Sequence, residues 1–196
     1  MPARSTPSAR TATRLDPRQP FVLDVRELGR RPGSMRPVQA QVQAPADLAV
    51  GLAAIPAGAQ LTLDLRLESV VEGVLVSGTV TAPVTGECAR CLTPVTQSET
   101  VQLTELFAYP DSVTDRTSEE DEVSHLVGDM LDLEPVVRDA LVLDLPLSPL
   151  CREDCPGLCV GCGVALDDLP DDHTHTTTDP RWAALAERFG GSPEKE

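Results

Sequence analysis

The stretch Leu61-Thr62-Leu63-Asp64-Leu65-Arg66-Leu67 decides the fold class, because leucine occupies every second position. Successive side chains of a β-strand point to opposite faces, so the four leucines share one face and the polar residues share the other. Two further stretches of β character follow, at 74–80 after the turn residues Glu72-Gly73 and at 100–107. Short connections join antiparallel neighbours. The pattern therefore predicts an antiparallel meander of at least three strands.

The chain before this meander predicts a short strand preceded by a disordered arm. Residues 1–20 contain many Pro, Ser, Thr and Arg residues and almost no large apolar side chains, a composition that cannot bury a core. The segment Phe21-Val22-Leu23-Asp24-Val25 predicts the strand with which the ordered part begins. We therefore expect a basic arm over 1–20 and one β-rich domain over 21–196.

The chain after the meander predicts a solvated loop and two helices. Residues 111–122 hold six acids and no apolar period, which is typical of a solvated loop. Asp132 as a cap and Pro135 in the first turn predict a helix with apolar residues at helical spacing up to Leu141. Asp179-Pro180 predicts a last helix, whose apolar stripe is expected to pack in the core and consists of Trp182, Leu185 and Phe189.

Composition and charge exclude several classes of protein. The 196 residues include no apolar run long enough for a membrane span and no secretory pattern at the start, so we expect a cytoplasmic protein. Aromatic residues make up only 3%, too few for a base-stacking platform. Residues 1–36 carry eight arginines and three acids, whereas the remaining residues carry eight bases and 28 acids. An acidic body repels RNA phosphates, so either the charge selects basic protein partners or it only maintains solubility.

Six cysteines and two histidines indicate metal chemistry. Two pairs have the C-x-x-C spacing, Cys88/Cys91 and Cys159/Cys162, in which a tight turn directs two sulfurs at one tetrahedral ion. Gly163 follows the second pair, where such a turn ends in a conformation that side chains resist. The remaining candidate ligands are a looser cysteine pair and two nearby histidines: Cys151, Cys155, His173 and His175. Eight candidates are twice the four ligands of a closed structural zinc site.

Other interpretations of these residues are possible. Disulfides are disfavoured by the expected cytoplasmic location, and a redox pair is disfavoured because Glu87 would raise a nearby thiol pKa. His173 and His175 lie in a polar loop and could be solvated rather than bound to metal. Two groupings of the thiols remain open. Either Cys88/Cys91 joins Cys151/Cys155 and the histidines complete a second site, or the two C-x-x-C pairs share one ion as in a zinc ribbon.

No nucleotide-binding loop, metalloprotease motif or serine-hydrolase elbow occurs in the sequence. Eight ligands for two ions also favour closed sites over a catalytic site with an open position. The sequence therefore predicts a protein that is not an enzyme. Direct RNA binding through the basic residues Arg30, Arg31 and Arg36, and a redox or zinc-storage role, are the alternatives.

Five segments over roughly residues 60–190 resemble the YceD-type large ribosomal RNA subunit accumulation proteins. They are Cys88-Ala89-Arg90-Cys91-Leu92, Leu131-Asp132-Leu133-Glu134, Leu145-Pro146-Leu147 with Cys151, Gly157-Leu158-Cys159-Val160-Gly161-Cys162-Gly163, and Asp179-Pro180-Arg181-Trp182-Ala183-Ala184-Leu185. The resemblance implies a factor that supports large-subunit rRNA accumulation and ribosome assembly. The acidic charge then adds a ribosomal protein or large-subunit precursor as the expected partner.

The resemblance also bears on the sites. Some relatives lack the second C-x-x-C pair but keep equivalents of Cys88, Cys91 and the Cys151–Cys155 region, which favours the first grouping. Relatives often have a cysteine where this chain has its histidines.

Taken together, these patterns predict an α+β fold: an antiparallel meander or barrel-like sheet, a few helices, and a cysteine-rich, zinc-stapled lobe over about residues 145–190.

Overall fold

The leucine stretch forms the strand β5 (Gln60–Ser69), and its four leucines are fully buried. The computed structural model describes residues 14–110, 112–118, 123–175, 180–182 and 188. The protein is mostly β-sheet with two helices. The predicted basic arm up to residue 13, and Leu185 and Phe189 of the predicted last helix, lie outside the described residues.

Seven strands form the main sheet around β5. It pairs antiparallel with β2 (Met35–Gln43) on one side and with β6 (Gly73–Glu87) on the other, and β6 pairs antiparallel with β7 (Pro94–Ala108) along its whole length. The small strands β3 (Leu48–Val50) and β4 (Ala53–Ile55) extend the sheet beside the far end of β6. The predicted meander is therefore confirmed.

The sheet is open, so the barrel-like form that the sequence suggested is not found. Among the described strands, the sheet runs from β2 through β5 to β6 and branches there, to β4 and β3 and to β7 with its parallel neighbour β8 (Ser124–His125), and the end strands β2, β3 and β8 do not pair with one another. Closure into a barrel would require end strands of the sheet to pair. Pro37 in β2 has no N–H for a strand ladder, which suits an edge position.

A second, two-stranded sheet precedes a helix that packs against β7. The expected first strand is β1 (Val22–Asp24), which pairs with β9 (Met130–Asp132) rather than joining the meander. The helix α2 (Glu134–Asp144) follows directly, with Leu133 rather than the expected Asp132 at its N-cap position, although the Asp132 carboxylate accepts the N–H of Glu134 at 2.9 Å. Val137 and Leu141 of α2 are buried against β7.

Two predictions for the acidic loop and the chain end differ from the structure. The acidic loop contains a short helix, α1 (Val113–Thr117), because the Ser112 side chain caps its first turn. Trp182 lies in a 3-10 turn over Pro180–Trp182 and is 60% exposed, so the predicted core packing of this ring is wrong. None of the helices in the described ranges is long and apolar enough to cross a membrane.

Residues 145–175 form an irregular segment that lies against the tip of the β6–β7 hairpin. The N–H of Ala89 in the hairpin turn donates to the carbonyl oxygen of Pro149 at 2.8 Å. One 3-10 turn, over Leu166–Asp168, is the regular structure within this segment. Because the hairpin tip and the later segment meet here, cysteines from both are brought together.

Candidate metal centres

The first C-x-x-C pair occupies the turn of the β6–β7 hairpin. The N–H of Cys88 donates to the carbonyl oxygen of Thr93 at 2.8 Å, and the N–H of Leu92 donates back to that of Cys88 at 2.9 Å. This pair of bonds closes the turn so that Cys88 and Cys91 face the same side. Leu92 has a φ of +60°, a left-handed conformation that side chains disfavour.

The second C-x-x-C pair repeats this turn on a different backbone. The N–H of Cys159 donates to Val164 and the N–H of Gly163 donates to Cys159, both at 2.8 Å. Gly163, at the position equivalent to Leu92, has a φ of +73°, as the sequence predicted for this glycine. The same hydrogen bonds therefore shape both turns, although only the second has glycine where the backbone turns left-handed.

Cys88, Cys91, Cys151 and Cys155 form the first centre. Their sulfur atoms all lie within 4.8 Å of one another, with 3.8 Å between the sulfurs of Cys88 and Cys155 and 3.6 Å between those of Cys91 and Cys151. Cys88 and Cys155 are buried, at 0% and 2% exposure, whereas Cys151 is exposed. The centre joins positions 67 residues apart, and it can hold a metal ion.

Arg90 links the two halves of the first centre through contacts that no sequence pattern predicts. Its guanidinium donates to the carbonyl oxygens of Glu153 at 3.1 Å and Cys155 at 2.9 Å. Gly157 lies just behind, where an added Cβ would be 3.2 Å from the carbonyl oxygen of Arg90. Arg90, which lies between the candidate ligands Cys88 and Cys91, thus holds the later segment on the hairpin.

Cys159, Cys162, His173 and His175 form the second centre. Nε2 of His173 lies 3.5 Å from the Cys159 sulfur, 3.6 Å from the Cys162 sulfur and 2.9 Å from Nε2 of His175. All four ligand atoms lie within 4.8 Å of one another, so this centre also can hold a metal ion. The structure thus agrees with the grouping in which Cys88/Cys91 joins Cys151/Cys155 and the two histidines complete a second site with Cys159/Cys162.

Gly161 separates the two cysteines of the second turn because the ring of His175 lies against its backbone. A Cβ at this position would lie 2.3 Å from Cδ2 of His175, a distance that no real contact reaches. The imidazole therefore packs directly over the glycine. In the first turn the equivalent position is Arg90, whose side chain leads away to the later segment.

Hydrogen bonds lower the thiol pKa of both cysteines of the first C-x-x-C turn, where Thr93 acts on Cys91, and of Cys159 in the second turn. The N–H of Cys91 lowers the pKa of the Cys88 thiol to about 6, and the N–H of Cys162 lowers the pKa of the Cys159 thiol. Burial instead raises the pKa of the Cys155 thiol to about 12. Four thiolates this close repel one another, so the fully ionised centre requires a cation.

The three arginines of the predicted RNA contact are not equally available. The Arg30 guanidinium lies 4.7 Å from the centre of the Tyr109 ring, and Arg36 donates to the carbonyl oxygen of Asp24 at 2.8 Å. Arg31 is exposed. Two of the three cations therefore make contacts within the chain.

His125, which the sequence left without a partner, pairs with a carboxylate. Its Nε2 lies 3.1 Å from an Asp115 oxygen, and this pair joins α1 to β8. His125 belongs to neither of the two groups of candidate metal ligands.

Comparison with known proteins identifies the family. The model of the family described as "Large ribosomal RNA subunit accumulation protein YceD" matches residues 76–187, a range that contains both centres. An uncharacterized protein of Mycobacterium tuberculosis (strain H37Rv) is 56% identical over 177 residues, which is 90% of this chain and 84% of the relative. An uncharacterized protein of Mycobacterium leprae is 49% identical over 168 residues, 86% of this chain and 77% of the relative. No solved structure matches the chain. The chain therefore belongs to the YceD family of large ribosomal RNA subunit accumulation proteins.

Proposed function

We propose that the chain is a non-enzymatic factor that supports large-subunit rRNA accumulation and ribosome assembly. In this proposal two structural zinc ions, one in each centre, hold the C-terminal segment on the sheet. The acidic body binds a basic ribosomal protein or an assembly intermediate and shields its positive charge until the partner docks on RNA.

The distances between ligand atoms support zinc. Zinc–sulfur bonds of about 2.3 Å in a tetrahedron place sulfurs about 3.8 Å apart, against 3.8 and 3.6 Å in the first centre. With zinc–nitrogen bonds of about 2.0 Å, sulfur and nitrogen should be about 3.5 Å apart, against 3.5 and 3.6 Å in the second. The two histidine nitrogens, at 2.9 Å, would separate by a few tenths of an ångström. Donor type and spacing both fit zinc.

The number of ligands supports a structural role for both ions. A catalytic zinc keeps one position open for water or substrate, whereas four protein ligands close the coordination sphere. Each centre supplies four ligand residues. With both ions closed, the zinc would order the chain and would not activate a substrate, which is why we propose a binding factor rather than an enzyme.

The observation that carries the choice of partner is the charge of the body. Residues 37–196 hold 28 acids and eight bases. Potentials of this sign attract basic proteins and repel phosphate. Since ribosomal RNA is itself a polyanion, such a body supports an rRNA-related role most simply through a cationic protein that would otherwise bind RNA nonspecifically.

Capture experiments test this function. Tagged, zinc-loaded full chain is incubated with lysate, with and without ribonuclease, and bound proteins are quantified by mass spectrometry. We expect enrichment of one or more basic ribosomal proteins, or of precursor subunits, that survives ribonuclease. Recovery that disappears with ribonuclease supports the alternative of direct RNA binding instead, and recovery of no ribosomal component contradicts the proposal.

Elemental analysis tests the metal assignment separately. Freshly purified protein should contain two zinc ions per chain, and the variants Cys155→Ser and Cys159→Ser should contain one each. Iron in place of zinc, or zinc content unchanged by both substitutions, would contradict the assignment. Rapid loss of both ions to a mild chelator would favour a zinc-storage role.

A further inference from the structure

A groove of about 420 Å³ runs between α2, β7 and β8, within the size range of ligand sites. Three residues of the helix, Pro135, Val136 and Ala140, give it an apolar wall. Val136 and Ala140 also pack against the core, so this wall is fixed in position. The groove lies on a different part of the fold from the two metal centres.

A half-buried carboxylate, that of Glu105, lines this groove. Glu105 lies between Leu103 and Phe107 on one face of β7, and both of these neighbours are buried. Its partner among the described residues is neutral: the Ser124 hydroxyl, which donates to the carboxylate at 2.8 Å. An ionised carboxylate offers about four acceptor sites, so Glu105 can also accept hydrogen bonds from a cationic side chain.

The other charged group that lines the groove is also acidic. Asp139 projects from α2 on the exposed side of the groove. The neighbouring Arg138 does not neutralise it, because its guanidinium donates to the carbonyl oxygen of Ala46 at 2.9 Å and to Glu134 at 3.2 Å. The groove thus combines two carboxylates with an apolar wall.

We propose that this groove binds an arginine or lysine side chain of the partner protein. The aliphatic stem lies along the wall formed by Pro135, Val136 and Ala140, and the charged head reaches Glu105 and Asp139. The two carboxylates exclude RNA phosphate from the same place. This inference rests on the proposed function, since it assigns a place on the fold to the basic partner proposed above.

Binding of a fluorescein-labelled nona-arginine peptide tests the groove, with fluorescence anisotropy as the measurement and the zinc-loaded full chain as the protein. The double variant Glu105→Gln/Asp139→Asn removes both charges. The matched control Glu99→Gln/Asp144→Asn removes the same charges from the same strand and helix, outside the groove. We expect the groove variant to raise the Kd at least tenfold, about 1.4 kcal/mol, and the control to raise it less than threefold. The inference is overturned if the groove variant and the control variant weaken peptide binding equally, or if neither of them weakens it.

Capture of the partner separates failure of the groove from failure of the proposed function. If the wild type and the control variant capture basic ribosomal proteins and the groove variant does not, the groove is the docking site. If all three capture the same proteins, the groove inference is wrong while the proposed function stands. If the wild type captures none, the proposed function fails whatever the peptide result.

Discussion

Replacing Cys155 by serine is expected to weaken the whole fold, whereas replacing Cys159 is expected to weaken only the second C-x-x-C turn. Cys155 shares its centre with Cys88, 67 positions earlier in the chain. The second centre is local, since Cys159 and His173 are 14 positions apart. Loss of the first ion therefore releases a long loop, and loss of the second releases a short one.

The magnitude follows from the lengths of these loops. In the chain-entropy model, a cross-link that closes a 67-residue loop contributes about 4 kcal/mol, and one that closes a 14-residue loop contributes about 3 kcal/mol. The smaller contribution acts only on the segment between residues 159 and 175. We therefore expect the free energy of unfolding of the sheet to fall by about 4 kcal/mol in Cys155→Ser and by less than about 1 kcal/mol in Cys159→Ser.

Urea unfolding of the zinc-loaded proteins, followed by far-UV circular dichroism, measures this difference. Hydrogen exchange adds the location: the amides of 159–164 should lose protection in Cys159→Ser while those of β5 keep it. The metal-free proteins are the control, because the difference between metal-free wild type and metal-free Cys155→Ser isolates the effect of burying a hydroxyl. Equal losses of unfolding free energy in zinc-loaded Cys155→Ser and Cys159→Ser would refute this reasoning.

Three further predictions concern single positions. Leu92→Gly should stabilise the protein by up to about 1 kcal/mol, because glycine removes the cost of a side chain at a φ of +60°; an unchanged or lower urea midpoint would contradict this. Gly161→Ala should displace His175, which its Cβ would approach to 2.3 Å, and reduce the zinc content from two ions per chain to one by elemental analysis. Asp24→Asn should flatten the acid limb of the stability profile: Arg26 lowers the pKa of Asp24 from 3.8 to about 2, so the stability this pair contributes is complete above pH 3.8 and is lost as the pH falls through about 2. Melting temperatures between pH 2 and pH 5 that coincide for wild type and Asp24→Asn would contradict the last prediction.

The position of β5 could be predicted from the sequence, but the full length of β6 could not. Leucine alternation places β5 within two residues of its observed ends, because one buried face determines the periodicity. β6 continues past residue 80 to Glu87 although it contains Pro83, a residue that normally ends a strand. The structure explains this exception, since pairing with β5 stops at Thr81 and pairing with β4 starts at Thr85. Pro83 lies in the gap between them and interrupts neither ladder.

The candidate ligands could be predicted from their spacing, whereas the contacts around them could not. Thiols at C-x-x-C spacing are locally constrained, so the two turns follow from the sequence alone. The Arg90 contacts with Glu153 and Cys155 depend on how a segment more than 60 residues away lies on the hairpin. The groove is a similar case. Glu105 stands out in the apolar pattern of β7, but only the packing of α2 shows that a concave surface surrounds it.

The long separation within the first centre has a consequence for the order of events during translation. Cys88 and Cys91 leave the ribosome about 60 residues before Cys151, which at roughly 5–20 residues per second corresponds to about 3–12 s. Throughout this interval the growing polypeptide carries a half-site of two thiols that cannot enclose an ion. The first centre can therefore close only after Cys151 and Cys155 have left the ribosome, by which time every described strand has already been synthesised.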